Sequence, residues 1–480
     1  MKFDSHLIRH TLLVLACLVC HFHGRAVAQD EKITQIHVFP AREVGRFDGM
    51  GCGAIFYEAH ITSLSKRGHH AAQRTLYDDM FAKVNTQFLQ LMIRHDHEPQ
   101  NDNGDNMQPA FKDEWFEYAR ETLAICRAAR ERRPEMEFHA TLYTPPVWMK
   151  TNNDITAGGT SRATLKEGMD LELAEFCWAF LDYMRRNGVR IDHLSIANEP
   201  DWPHTQPGYC LIPEQNAKLT ATVDSYLEEM QRRFPGTHAP KIVGPNTLSA
   251  IDAANDYLPA LLDKASSHLD VIGSHDYDRR GERWSNLVAK AEGRPVWCTE
   301  WCVNGHDDSP GLIRSMTEYW LAMSEAFNQG VNAWMAYDWV YPPRPGGEAL
   351  IHVDWGSSYQ PTKIYHGFRQ WCGPLSPGMS TVATRLEGAA ATGIGQPGVK
   401  ACAFVSKDGH RLVLHLANVQ DIPAILSIHV PKPWSEFPAR RIITSSEQNM
   451  KKSQRSAALV MREDMPNRSV LSLVWDLAEK

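Results

Sequence analysis

Two glutamates stand at the ends of two apolar runs. Leu194-Ser195-Ile196-Ala197 stops at Asn198-Glu199-Pro200, and Val296-Trp297-Cys298-Thr299 stops at Glu300-Trp301. Two carboxylates facing each other across a ligand are what hydrolysis of a glycosidic bond requires. One protonates the departing oxygen, and the other attacks the anomeric carbon or activates water. Asn-Glu-Pro alone is a weak motif, and Glu300 alone reads equally well as a salt-bridged strand end. Their matched placement at two strand ends, about a hundred residues apart, makes the case.

A competing chemistry is metal binding. His95-Asp96-His97-Glu98 crowds imidazoles and carboxylates into one loop. On an extended segment, however, residues 95 and 97 share a side and Asp96 takes the other. No HExxH accompanies the cluster, so it is expected to be a polar wall for sugar hydroxyls, with no metal bound. Asn101–Asn106 lacks the Gly and Glu that an EF-hand loop needs at fixed positions. No P-loop and no Gly-rich phosphate turn occurs, and no cofactor is expected.

The elements that must position the glutamates alternate in type. Apolar strand-like runs lie at Gly51–Ile55, Phe88–Arg94, Glu137–Leu142, His193–Ala197, Lys241–Gly244, Val271–His275, Val296–Thr299 and Val331–Tyr337. Amphipathic segments fall between them, such as Gly311–Asn328, which puts Ile313, Met316, Trp320, Met323 and Phe327 on one face. This alternation predicts a (β/α)8 TIM barrel over residues 47–376. Chemistry in such a barrel sits at the C-terminal strand ends, and strands four and seven lie nearly across its mouth. After Pro377 the texture changes to short alternating runs around a Lys407-Asp408-Gly409 turn. Residues 377–480 are predicted to form a small all-β domain, a β-sandwich, to which residues 29–46 contribute a strand near Ile33–Phe39.

Composition bounds the rest. The 480 residues are 43% hydrophobic and 22% charged, with a formal charge of −7, which argues against a nucleic-acid partner. Lys2 and Arg9 precede an apolar run from Leu12 to Cys20, and Ala26-Val27-Ala28 offers a cleavage site. Residues 1–28 thus read as a signal peptide cleaved after Ala28, its apolar run too short to span a bilayer. A secreted or periplasmic protein without a membrane anchor is expected. Eight cysteines remain, and export permits disulfides, although Cys52, Cys298 and Cys402 lie in apolar runs suited to buried thiols. The fourteen tryptophans suit a protein that grips sugar faces. Trp334 and Trp148 are read as platforms, and Tyr143 as either platform or core.

The sequence resembles a clan of glycoside hydrolases, and within it most closely glycoside hydrolase family 30. The resemblance rests on Phe47-Asp48-Gly49-Met50-Gly51 before the first strand and Thr144-Pro145-Pro146-Val147-Trp148-Met149-Lys150 after the third. Ser195–Asp201 and Gln360-Pro361-Thr362-Lys363 complete it. Gly51-Cys52-Gly53-Ala54 and Ser274-His275-Asp276-Tyr277 depart from the family's usual forms. The resemblance implies a retaining mechanism with Glu199 as acid/base and Glu300 as nucleophile. It also implies Asn198 on the sugar 2-hydroxyl, Arg94 and Tyr277 supporting Glu300, and His275 among the substrate-binding residues. Burial and an ionised Glu300 are expected to raise the pKa of Glu199. The substrate class is a β-linked polysaccharide or glycoconjugate, attacked internally as in hydrolysis of β-1,6-galactan, β-1,6-glucan or xylan. The alternatives are a glucosylceramidase-like or exo-acting β-glycosidase, and a non-catalytic carbohydrate-binding protein on the same scaffold, which loss of either glutamate would signal.

Overall fold

A computed structural model describes residues 33–278 and 281–477. The expected signal peptide lies outside the described residues. Among those described, no helix is long and apolar enough to cross a membrane.

Eight parallel strands close into a barrel. They run Gly49–Ala54, Phe88–Ile93, Glu137–Leu142, His193–Ser195, Lys241–Thr247, Val271–His275, Val296–Trp301 and Ala333–Ala336. The eighth pairs with both the seventh and the first, from Ala333↔Gly49 to Ala336↔Cys52. Side chains alternate between the two faces of a strand. Accordingly Phe88, Val243, Val271, Trp297, Ala333 and Met335 fill the bottom of the barrel. Gly53 answers a close approach: a Cβ there would meet the Tyr337 carbonyl oxygen at 1.9 Å. That contact accounts for the glycine at this position. The outer ring includes Asp170–Arg186, Pro213–Arg233, Ile313–Asn328 and Lys363–Cys372, each with an apolar face against the strands.

The second unit is one continuous nine-stranded sheet built from both ends of the chain. Its first strand, Ile33–Arg46, pairs antiparallel with Ser380–Glu387 and parallel with Ala424–His429. The sheet rolls over an apolar interior that includes Leu412, Leu414, Leu426, Leu473 and Trp475. Its two edge strands, Lys451–Arg455 and Val460–Met465, meet through the Arg455–Glu463 ion pair, and Arg441 joins Glu463 at 3.0 Å. The sandwich is therefore one sheet curled onto itself. Its other face, with Cys402, Phe404, Val413 and Val474, joins the core beneath the barrel helices. All eight described cysteines are buried free thiols.

Candidate active site

The cleft opens at the C-terminal end of the barrel and encloses about 400 Å³. Its walls come from segments following most of the strands, including Phe56, Tyr143, Asn198, Glu199, Tyr277, Glu300 and Tyr337. A larger depression of about 710 Å³ lies at the seam between the barrel and the rolled sheet, and neither glutamate reaches it.

Glu199 is presented by an unusual backbone. Its φ is +48°, a left-handed conformation that a non-glycine residue adopts at some cost. Asn246, on the fifth strand, holds it there. The Asn246 carbonyl accepts the Glu199 N–H at 2.9 Å, and the Asn246 side-chain amide donates to the Ala197 carbonyl at 3.0 Å. The same side chain accepts from Thr299 Oγ1 at 2.5 Å, so one asparagine ties the fourth strand end to the seventh. Beside it, pairing with the sixth strand slips by one residue, passing from Ser274↔Cys298 to His275↔Glu300. Such an irregularity re-aims the side chain that follows.

The two carboxylates converge on one imidazole. His275 Nδ1 lies 2.8 Å from Glu199 Oε1 and 3.6 Å from Glu300 Oε1. One ligand-type atom from each of these three residues falls within 4.8 Å of the others. Tyr143 and Tyr277 each donate a phenolic hydrogen to a different Glu300 oxygen, both at 2.9 Å. His204 Nε2 sits 2.5 Å from Glu199 Oε2. The set is thus closed by its own hydrogen bonds and those of the tyrosines. Asn198 is buried, and its Oδ1 has no hydrogen-bond partner among the described residues.

The electrostatics depart from the expectation. Burial pushes Glu199 up, but hydrogen bonds from His204 and His275 outweigh it and hold the group at about 2. Glu300 is raised, by burial first and then by Glu199, against the lowering effects of His275 and the two tyrosines. Burial lowers His275, yet the charges of Glu300 and Glu199 leave it above its ordinary value. Burial, and then Glu300, keep the Tyr143 phenol protonated well past its usual range. Repulsion between the glutamates thus acts on Glu300, while two imidazoles shield Glu199 from it.

The structure brings Glu199, Glu300, Asn198, His275, Tyr277 and Tyr143 together and leaves three expected residues elsewhere. Arg94 does not reach Glu300: its guanidinium grips Asp96 through two bonds of 2.6 and 3.0 Å and lies over Tyr118. Trp334 is no platform. It is 0% exposed and packs on Trp301, Tyr319 and Phe368, because alternation sends it outward toward the helices while its neighbours Ala333 and Met335 point inward. Trp148 is half-buried outside the cleft lining, its indole N–H donating to the Glu98 carbonyl at 3.0 Å. The His95–Glu98 segment is a turn of helix rather than an extended wall, so strand alternation does not apply to it. His97 stacks on Phe176 and Phe116 in the core.

Several lining residues escaped the sequence reading: His204, Trp202, Tyr341, Arg344 and Phe56. His204 lies five positions beyond Glu199 in the same loop. That proximity was the available signal.

Residues 114–271 match the model of O-glycosyl hydrolase family 30. A glucuronoxylanase, XynC of Bacillus subtilis (strain 168), is 24% identical over 146 residues, which is 30% of this chain and 31% of that enzyme. The matched stretch therefore spans about a third of the curated relative. The catalytic domain of the family 30 xylanase C from Talaromyces cellulolyticus superposes with a TM-score of 0.74 at 17% identity, covering 92% of this chain and 99% of that one. An endo-β-1,6-glucanase superposes with a TM-score of 0.65 at 16% identity, covering 92% and 94%. At these identities the structures establish the shared fold, and the family model matches about a third of the chain.

Proposed function

We propose, from the premise that this chain is a glycoside hydrolase of family 30, that it is an exported enzyme cleaving a β-linked polysaccharide internally with retention of configuration. The observation that carries this reading is the pair of strand-end carboxylates converging on His275, with Glu199, His275 and Glu300 atoms within 4.8 Å of one another. Retaining enzymes hold their carboxyl groups about 5–5.5 Å apart, whereas inverting ones leave about 6.5–9.5 Å for a water. The glucuronoxylanase, xylanase and β-1,6-glucanase likenesses favour a xylan or a β-1,6-glucan as substrate. An expected export signal at residues 1–28 suits a substrate outside the cytoplasm.

The geometry supports a division of labour. Glu300, aimed by two phenolic hydroxyls, attacks the anomeric carbon and forms a glycosyl ester. The leaving oxygen takes its proton through Glu199, to which the protonated His275 hands it as the glycosidic bond breaks, so that Glu199 ends the first half as a carboxylate and His275 as a neutral imidazole. The two events are coupled through His275. Charge on Glu300 stabilises a protonated His275, so consuming that charge in the ester drives the imidazole proton toward Glu199 and the departing oxygen. In the second half, Glu199 accepts a proton from the attacking water. Glu300 regains its charge, and His275 regains its proton affinity. Asn198 Oδ1, buried and without a partner among the described residues, is placed to accept from a sugar hydroxyl.

The test is stereochemical. Proton NMR within minutes of adding the enzyme to a soluble xylan or β-1,6-glucan should show the β anomer first. A 2-deoxy-2-fluoro glycoside with a good leaving group should label Glu300. An α product, or label on Glu199, overturns the assignment. Glu199→Ala should slow poor leaving groups far more than activated aryl glycosides, with azide restoring turnover as a β-glycosyl azide. Equal losses on both substrates would refute the acid role.

A further inference from the structure

A line of aromatic rings leaves the cleft on the side built by the first and eighth strands. Tyr337 lines the cleft beside Glu300, and the Tyr341 hydroxyl donates to its hydroxyl at 3.3 Å. Tyr341 is buried, with the Arg344 guanidinium 4.3 Å from its ring centroid, and Tyr57 rests against it at a ring separation of 4.1 Å. From Tyr57 the line passes to His60 at 5.4 Å and then to Trp355 at 4.2 Å. Tyr57 and His60 are half-buried, whereas Trp355 is 46% exposed.

The last ring is held in place. Trp355 occupies the tip of a hairpin between Ala349–Asp354 and Ser358–Pro361. The tip is pinned to the helix Glu58–Lys66, because Ser63 Oγ accepts the Gly356 N–H at 3.1 Å. Asp354 closes the turn by accepting from the Ser357 hydroxyl at 2.7 Å. A single half-exposed tryptophan is by itself ordinary on a protein surface. Here it stands at the end of a continuous path that begins at the proposed nucleophile.

We infer that Tyr57, His60 and Trp355 form a binding track that carries an extended β-linked polysaccharide from the catalytic cleft to the barrel rim, with Trp355 as its outer platform. Pyranose rings expose C–H faces that pack on aromatic faces, while their hydroxyls stay in water. An exposed Trp and a half-exposed Tyr meet that requirement. Tyr341, clamped between Arg344 and Tyr57, is a positioning residue that sets the tilt of Tyr57. The occupant is the glycan chain itself, since the track is continuous with the cleft that takes it. This inference rests on the glycan reading of that cleft.

The test separates the two readings. Trp355→Ala and Trp355→Phe are compared with wild type on soluble glucuronoxylan, on soluble β-1,6-glucan, and on the p-nitrophenyl glycoside of the matching disaccharide. For the cleaved polymer, the ratio of kcat/KM on polymer to kcat/KM on the short glycoside should fall about tenfold in the Ala variant, the scale of one lost aromatic contact, with Phe intermediate. An unchanged ratio overturns the track and leaves the catalytic reading standing. Polymer binding is measured independently by affinity electrophoresis of Glu300→Gln with and without Trp355→Ala. If wild type cleaves neither polymer, the catalytic reading falls. Weaker retardation of the double variant would then still support the track, and equal retardation would overturn it.

Discussion

At the scale of single residues, His275 links the two carboxylates, and its protonation reports their charge. Both glutamates raise its pKa against the effect of burial. In wild type its ring should titrate above the usual 6.5. Glu300→Gln removes the larger of the two stabilising charges, so the midpoint must fall. Nitrogen-15 NMR of the imidazole checks this directly, and a midpoint that rises or stays fixed would dissolve the proposed coupling. The sequence made the two glutamates legible through their positions at strand ends. It left His204 and Asn246 hidden, because each acts by touching a residue that only the folded backbone brings near. Arg94 shows the converse: a cation at a strand end invites pairing with the nucleophile, yet Asp96, two positions away, claims it.

At the scale of elements, the strand pattern was readable because buried parallel strands are short apolar runs between turn residues. Which face a side chain takes was less readable when both faces are buried. Trp334 illustrates this, since an apolar residue is suited to either side of such a strand. If it is core, Trp334→Ala should destabilise the protein by about 3–5 kcal/mol and leave KM for glycan near wild type. Denaturant unfolding and initial-rate kinetics measure the two halves of that statement. A large rise in KM without loss of stability would restore the platform reading. Lys451–Arg455 escaped notice because it is polar and mostly exposed, and Val460–Met465 because its alternating buried positions include the charged Glu463. The loop after the second strand carries a different consequence. Burial and the neighbouring charges of Glu175, Asp102 and Glu172 push Glu98 up to about 9, and burial with Asp102 and Glu172 does the same to Glu175 on the helix Asp170–Arg186. The folded state therefore keeps protons that the unfolded chain releases near 4.5. The stability tied to these groups is complete below that value and is lost as pH rises through about 9. Thermal melts should fall between pH 5.5 and pH 8.5, by roughly 2–4 °C or more, and Glu98→Gln should flatten that slope. A wild-type Tm that climbs over this interval would show that these carboxyls are not the groups in control.

At the scale of the whole molecule, the rolled sheet and the barrel are not two beads on a string. The strand Ile33–Arg46 precedes the barrel in sequence but lies between Ser380–Glu387 and Ala424–His429, which follow it. The sheet therefore closes only when both chain ends have come together. Its barrel-facing side is sealed by aromatic contacts: Phe404 packs on Phe47 at 5.6 Å, Phe327 at 5.5 Å and Trp371 at 6.1 Å. These come from the barrel entrance and two barrel helices. Gln370 adds polar bonds across the seam, donating to the Ile442 carbonyl at 3.0 Å and accepting from Thr444 Oγ1 at 2.7 Å. Separating the units would expose Phe404, Trp371 and Phe327 to water and strand a buried amide, so partial unfolding is costly. Differential scanning calorimetry should accordingly show one transition for residues 29–480. Phe404→Ala, which removes a fully buried ring at the seam, should lower that transition by about 3–5 kcal/mol of stability while keeping it single. Two resolved transitions in wild type, or a Phe404→Ala effect confined to one of them, would mean that the sheet folds independently and that its contact with the barrel is incidental.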